Sequence, residues 1–180
     1  MRWHGWGVEG RAYPLRADAR AALLATLGAA PRAPRPLPEP PALPGPVLLT
    51  PPAKASAEPP DRLTHSAGKS TPDLLRARMG RSLAAPDAVA WPASHDEVAG
   101  VLAWAEREGV AVVPFGGGSS VVGGVAPERG PHRACLSLDL TRLDALLELD
   151  DQAQLARLQC GILGPALEHA LDHMDPAPGI

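Results

Sequence analysis

Aromatic side chains are scarce in this chain of 180 residues, which holds one phenylalanine, one tyrosine and four tryptophans. Proteins that bind nucleic acid stack bases on aromatic platforms beside a basic groove. Neither ingredient is present, because 17 Lys and Arg are interspersed with 20 Asp and Glu for a net charge of −3. The composition argues against nucleic-acid binding. Cysteine is nearly absent too. Cys135 and Cys160 stand alone, without Cys-x-x-Cys spacing. That speaks against a disulfide framework or a metal site and for buried small residues in a reducing, cytoplasmic compartment. Long hydrophobic runs are also missing. The stretch Ala21–Ala25 starts late, follows Glu9 and Asp18, and is too short to span a bilayer, so neither a signal peptide nor a membrane anchor is expected.

Proline, by contrast, is plentiful and clustered. Twelve of the 22 prolines fall between Pro31 and Pro60, among few large apolar residues, which predicts an extended surface arm or linker. The expected organisation is a helical segment over 1–30, a proline-rich linker over 31–60, a second helical segment over 61–83 and a ligand-binding domain over 84–180. In the first segment Asp18 is the predicted cap of a helix Ala19–Leu27 that Gly28 ends. In the third, Thr71 is the predicted cap of a helix with Pro72 at its first position and Gly80 after it.

The most informative stretch is Pro114-Phe115-Gly116-Gly117-Gly118-Ser119-Ser120-Val121-Val122-Gly123-Gly124. Consecutive glycines adopt backbone angles closed to other residues, so their N–H groups can converge on one anion with no side chains in the way. Two better-known phosphate loops do not fit. Counting from Gly116, the third glycine of Gly-x-Gly-x-x-Gly falls on Val121, which argues against a dinucleotide fingerprint. The only Gly-Lys-Ser, Gly68-Lys69-Ser70, has Leu63 where a Walker loop needs its leading glycine, and no apolar strand precedes it. Taken alone, the loop leaves a ligand-free flexible turn open.

Its surroundings favour a ligand. Ala88–Trp91 is a short apolar run closed by Pro92, and Ser94 and Glu97 have capping-box spacing at the start of a predicted helix His95–Glu108. Val98, Val101, Leu102 and Ala105 form its predicted apolar stripe, with Trp104 nearby and Gly109 as the left-handed stop. Val110–Val113 reads as a strand, so the glycine loop sits at a strand's carboxyl end, where α/β sheets place ligands. Further strands are predicted over Ala134–Leu140, Leu143–Leu149 and Leu155–Gly161. A helix opened by Gly164-Pro165 carries Leu167, Ala170, Leu171 and Met174 on one side. His169 and His173 are spaced i, i+4 on that helix, but without further ligands nearby they read as a solvated face. His65 has no partner visible in the sequence.

Four stretches carry a family resemblance: Arg2–Gly7, Asp61–Leu75 with its His65-Ser66-Ala67-Gly68-Lys69-Ser70, the segment from Pro86-Asp87 to Glu97, and Pro114–Gly124. In order and spacing the chain resembles FAD-linked oxidases of the vanillyl-alcohol-oxidase type with a PCMH-type FAD-binding domain, most nearly bacterial relatives of alkyldihydroxyacetonephosphate synthase. The resemblance implies an α+β fold: the first half of a PCMH-type domain, a small mixed sheet with flanking helices, behind a proline-rich N-terminal arm. It implies that Pro114, Phe115, Gly116, Gly117, Gly118, Ser119 and Ser120 hold the FAD pyrophosphate through backbone amides. No histidine lies in that loop to link flavin covalently, so non-covalent FAD is expected.

The family's second flavin stretch and its substrate residues lie beyond this length, so no catalytic residue and no metal ligand is nominated. Asp175–Ile180 departs from the family pattern, and the expectation is a truncated or shifted reading frame or an expression boundary, leaving a chain inactive by itself. A complete relative would exchange the acyl group of acylated dihydroxyacetone phosphate for a long-chain alcohol, without net redox and with the flavin as electrophile. The resemblance leaves open a homodimer in full-length relatives. Two other readings stay open: a fragment of a 2-hydroxy-acid oxidoreductase of glycolate or D-lactate type, and a non-catalytic remnant.

Overall fold

The structure is a computed structural model that describes residues 3, 5–7, 14–28, 39–81, 84–150 and 152–173. In chain order its elements are α1 (Ala17–Leu27), β1 (Ala55–Ser56), α2 (Pro59–Thr64), α3 (Thr71–Arg78), β2 (Ala88–Ala90), α4 (His95–Glu108), β3 (Val110–Phe115), β4 (Ala134–Asp139), β5 (Leu146–Asp150), β6 (Leu155–Leu158) and α5 (Gly164–Asp172). One sheet has the order β1-β2-β4-β3; β1 is antiparallel to β2, whereas β2, β4 and β3 run parallel. β5 and β6 form a separate antiparallel pair. Helices and a small mixed sheet are the architecture that the resemblance implied.

β4 lies between β2 and β3 and is buried along its whole length. Because successive residues of a strand face opposite sides, Ala134, Leu136 and Leu138 pack in one cluster with Ala88 and Ala90 of β2, Val110 of β3 and Val101 and Ala105 of α4. Cys135, Ser137 and Asp139 alternate with them. The predicted alternation of Ala134–Leu140 is therefore present, with both faces covered. Val47, Leu49 and Ala53 of the proline-rich stretch pack on the α4-side cluster, and β1 pairs Ala55 with Ala90.

α4 begins and ends at the residues its capping signals predict. Ser94 Oγ accepts the Glu97 amide at 3.1 Å and the Glu97 carboxylate accepts the Ala93 amide at 2.8 Å. Gly109 takes φ 62° and its N–H reaches back to the carbonyls of Ala105 and Glu106. Leu102, expected on the apolar stripe, is instead 47% exposed; Val98, Val101 and Ala105 suffice to face the sheet. α3 is capped by Ser70, not Thr71: Ser70 Oγ accepts the Asp73 amide, so Thr71 and Pro72 become the first two helical residues. α1 starts two residues before Ala19, at Ala17, with no side-chain cap, and Asp18 lies in its first turn bonded to Arg16. The expected position of Met174 on α5 lies outside the described residues.

A buried carboxylate closes the sheet at the end where β2 and β4 begin. Asp87 Oδ1 accepts the Val47 amide at 2.9 Å and Oδ2 accepts the Cys135 amide at 2.8 Å, while Arg129 Nη2 reaches both oxygens at 3.1 and 3.0 Å. Arg62, also buried, donates to the carbonyls of Pro86 at 2.7 Å and Pro44 at 2.8 Å. These bonds fasten the arm and α2 to the entrance of β2.

Gly100 lies inside α4, where glycine costs helix stability through its backbone entropy. A Cβ there would meet Pro52 Cγ at 3.8 Å, an ordinary van der Waals contact. Gly100→Ala is therefore expected to stabilise the protein by about 0.5–1 kcal/mol, read as a higher urea midpoint at unchanged slope. A lower midpoint would mean that the contact with Pro52 is overpacked.

Candidate functional site

The glycine loop leaves β3 at the carboxyl end of the parallel strands, on the way to β4. The strand runs two residues beyond the expected Val113, so Pro114 pairs with Leu138 and Phe115 with Asp139. β3 is an edge strand, which is where a proline without an N–H is tolerated. Of the residues singled out in the sequence, Phe115 is thus buried at the loop's root, and Gly116–Ser120 form the loop itself. Gly118 takes φ 62°, in the region that favours glycine. A Cβ at Gly116 would meet nothing within 4 Å, and one at Gly117 would touch only Leu163 Cδ2 at 3.7 Å. Among the described residues, the amides of Gly116, Gly117, Gly118 and Ser119 donate to no protein acceptor. The loop therefore holds four N–H donors without an acceptor among the described residues, with open space beside Gly116.

His65 lies at the foot of this loop and finds the partners that the sequence did not reveal. Nδ1 faces the Asp61 carbonyl oxygen at 2.7 Å and Nε2 faces Asp139 Oδ2 at 2.9 Å. The ring packs on Phe115, with centroids 4.1 Å apart, and edge-on against Trp91. Asp139 Oδ2 also accepts Trp91 Nε1 at 3.0 Å, and Oδ1 accepts both the amide and the hydroxyl of Thr141. Burial alone would raise the Asp139 carboxyl; the hydrogen bonds from His65 and Thr141 and the charge of His65 outweigh it and hold the group below the usual carboxylate range. The signal for this cluster was an acid inside an apolar strand, Leu138-Asp139-Leu140, which must be paired if buried.

The segment following His65 meets the loop's far end. The Lys69 amide donates to the Ser120 carbonyl at 2.6 Å, and the Gly124 amide donates to Ser120 Oγ at 3.1 Å. Burial lowers the Lys69 ammonium from its ordinary value, with the nearby Asp73 carboxylate opposing. His169 and His173 stack on the exposed face of α5, and among the described residues no group of His, Cys, Asp or Glu could hold a metal ion. Among the same residues, no helix is long and apolar enough to cross a membrane.

Backbone donors at the carboxyl end of a parallel sheet are a feature that nucleotide-cofactor sites use. The chain belongs to the family described as FAD binding domain, whose model matches residues 86–178, and FAD is the cofactor that membership assigns. It is 40% identical over 110 residues to alkyldihydroxyacetonephosphate synthase of Dictyostelium discoideum, and 40% identical over 111 residues to the synthase of that name from Trypanosoma brucei brucei. Each match covers 61% of this chain and 18% of the relative. A solved structure of an alkyldihydroxyacetonephosphate synthase superposes with a TM-score of 0.79 at 26% identity, over 96% of this chain and 38% of that one. The chain thus spans well under half the length of the synthases it matches.

Two predictions follow from the cluster and from the face of the sheet beneath it. The lowered Asp139 carboxyl means that the unfolded chain takes up this proton first, so the stabilisation is complete at neutral pH and is lost as pH falls below about 4 through the folded value. The stability gap between the wild type and Asp139→Asn, measured by urea unfolding, should shrink over that acid window; a gap independent of pH would sink this account. Cys135 is buried, and its thiol is pushed up to about 11, by burial first and by Asp87 second, with Arg129 opposing. Cys160 is exposed. Mass spectrometry after iodoacetamide treatment at pH 8 should find Cys160 alkylated in the native protein and Cys135 only after denaturation.

Proposed function

We propose that this chain is the cofactor-holding part of a flavoenzyme similar to alkyldihydroxyacetonephosphate synthase, and that the loop Pro114–Ser120 holds the diphosphate of FAD without a covalent bond. The observation that carries this reading is the set of amides from Gly116 to Ser119, which have no acceptor among the described residues, in a loop where a Cβ at Gly116 would meet nothing within 4 Å. The residues present fit the group. A diphosphate bridge needs donors rather than bulk, and the loop holds no Lys, Arg or His, so amide dipoles meet the charge. Phe115 and Pro114 act beneath, as the strand end that aims the loop.

When bound, FAD supplies an electrophilic ring that lets an acyl group on dihydroxyacetone phosphate be exchanged for a long-chain alcohol. The chain's own residues bind and orient the cofactor's handle. None of them is assigned to the substrate, so the chain alone is inactive in this exchange. Two cysteines far apart in sequence, one buried and one exposed, suit a cytoplasmic location.

Titrating FAD with the purified chain should quench flavin fluorescence with saturation, and acid precipitation should release all yellow colour into the supernatant. Absence of quenching at millimolar FAD would overturn the binding reading. Colour retained in the pellet would overturn the non-covalent one.

A further inference from the structure

We infer that the segment His65-Ser66-Ala67-Gly68-Lys69, which precedes the matched FAD-binding region, is a brace that sets the shape of the diphosphate loop from both ends. This inference rests on the proposed role of the loop. At the root, the His65 ring packs on Phe115, the last residue of β3, and is itself held between the Asp61 carbonyl and Asp139. At the exit, the Lys69 amide donates to the Ser120 carbonyl at 2.6 Å. Between them, Gly68 lies so close to that carbonyl that even a methyl group would collide with it. The brace thus needs three residue types at this spacing: an imidazole ring, a residue without a side chain, and a residue whose backbone carries an N–H.

A braced loop has its donors in place before the anion arrives, so binding does not have to bear the cost of ordering it. Five residues of brace fix the two ends of a loop of about the same length, and the amides between Gly116 and Ser119 keep no acceptor among the described residues. His65, Gly68 and Lys69 are on this account positioning residues, acting through Phe115 and Ser120 rather than on the cofactor.

Gly68→Ala tests the exit contact, since its backbone is outside the left-handed region and the added methyl acts by collision alone. Gly100→Ala, an added methyl in α4, serves as the control. His65→Ala and His65→Gln test the root; glutamine keeps a donor for Asp139 and alanine keeps none. Two readouts are taken: the FAD dissociation constant from fluorescence quenching, and the backbone ¹⁵N order parameters of Gly116–Ser120 without FAD.

Expected are FAD binding weakened about tenfold by Gly68→Ala and His65→Ala, order parameters lowered in the loop but not in β4, a smaller loss for His65→Gln, and no change in either readout for Gly100→Ala. If Gly68→Ala and His65→Ala lower global stability but leave loop order and FAD affinity as in the wild type, the segment is merely structural and the inference is overturned. If the wild type itself fails to bind FAD, the cofactor reading fails, and the loop's order parameters in Gly68→Ala still decide whether the brace exists.

Discussion

A charge can be buried in a fold only where donors meet it, and the carboxyl end of this sheet is organised around such a charge. Asp139, the last residue of the central strand, is drawn out of water and must be met by donors from elsewhere. They come from His65 after α2, from Trp91 after β2 and from Thr141 just downstream. Each donor belongs to a different part of the chain, so satisfying one carboxylate fixes where three segments stop. Phe115, registered opposite Asp139 and packed on the same imidazole, inherits that position. The glycine loop starts at the next residue.

Asp87 has the mirror role at the opposite end of the sheet. It collects the amides of Val47 and Cys135 and the Arg129 guanidinium just before β2 begins. The parallel core is therefore held at entrance and exit by buried carboxylates, with small apolar side chains such as Ala88, Ala90 and Ala134 filling the space between. Small residues bury little area each. A core built from them lets α4 sit close to the strands and shifts part of the task of specifying the fold to the polar contacts at the two ends.

What could be read in the sequence was what depends on neighbours along the chain. Ser94, Glu97 and Gly109 gave both ends of α4, and the run of glycines gave the loop, because caps and left-handed glycines act within a few residues. Pro114 reads as a strand breaker, yet β3 runs through it to Phe115 because an edge position removes that objection. Leu102 fits the helical spacing but stays exposed, because spacing does not say how wide a stripe the sheet will cover. Ser70 and Thr71 are both good caps for α3, and only the hydrogen bond to Asp73 decides for Ser70. His65 looked partnerless because its acceptor is 74 positions away. β5 and β6 read as strands, yet nothing local showed that they would pair with each other rather than join the main sheet.

The link from β3 to β4 joins two adjacent parallel strands, a connection usually made by a helix. Here it is made by the glycine loop and an irregular stretch that returns to the start of β4, where the Arg133 amide meets the Gly109 carbonyl at 3.0 Å. Without a helix to stiffen it, this crossover carries more chain entropy than its length alone would require. A ligand gripped by its first residues shortens the free part of the tether that brings β4 against β3. On the proposed reading of the loop, a cofactor that fills it would thus also act as a staple for the strands beneath it.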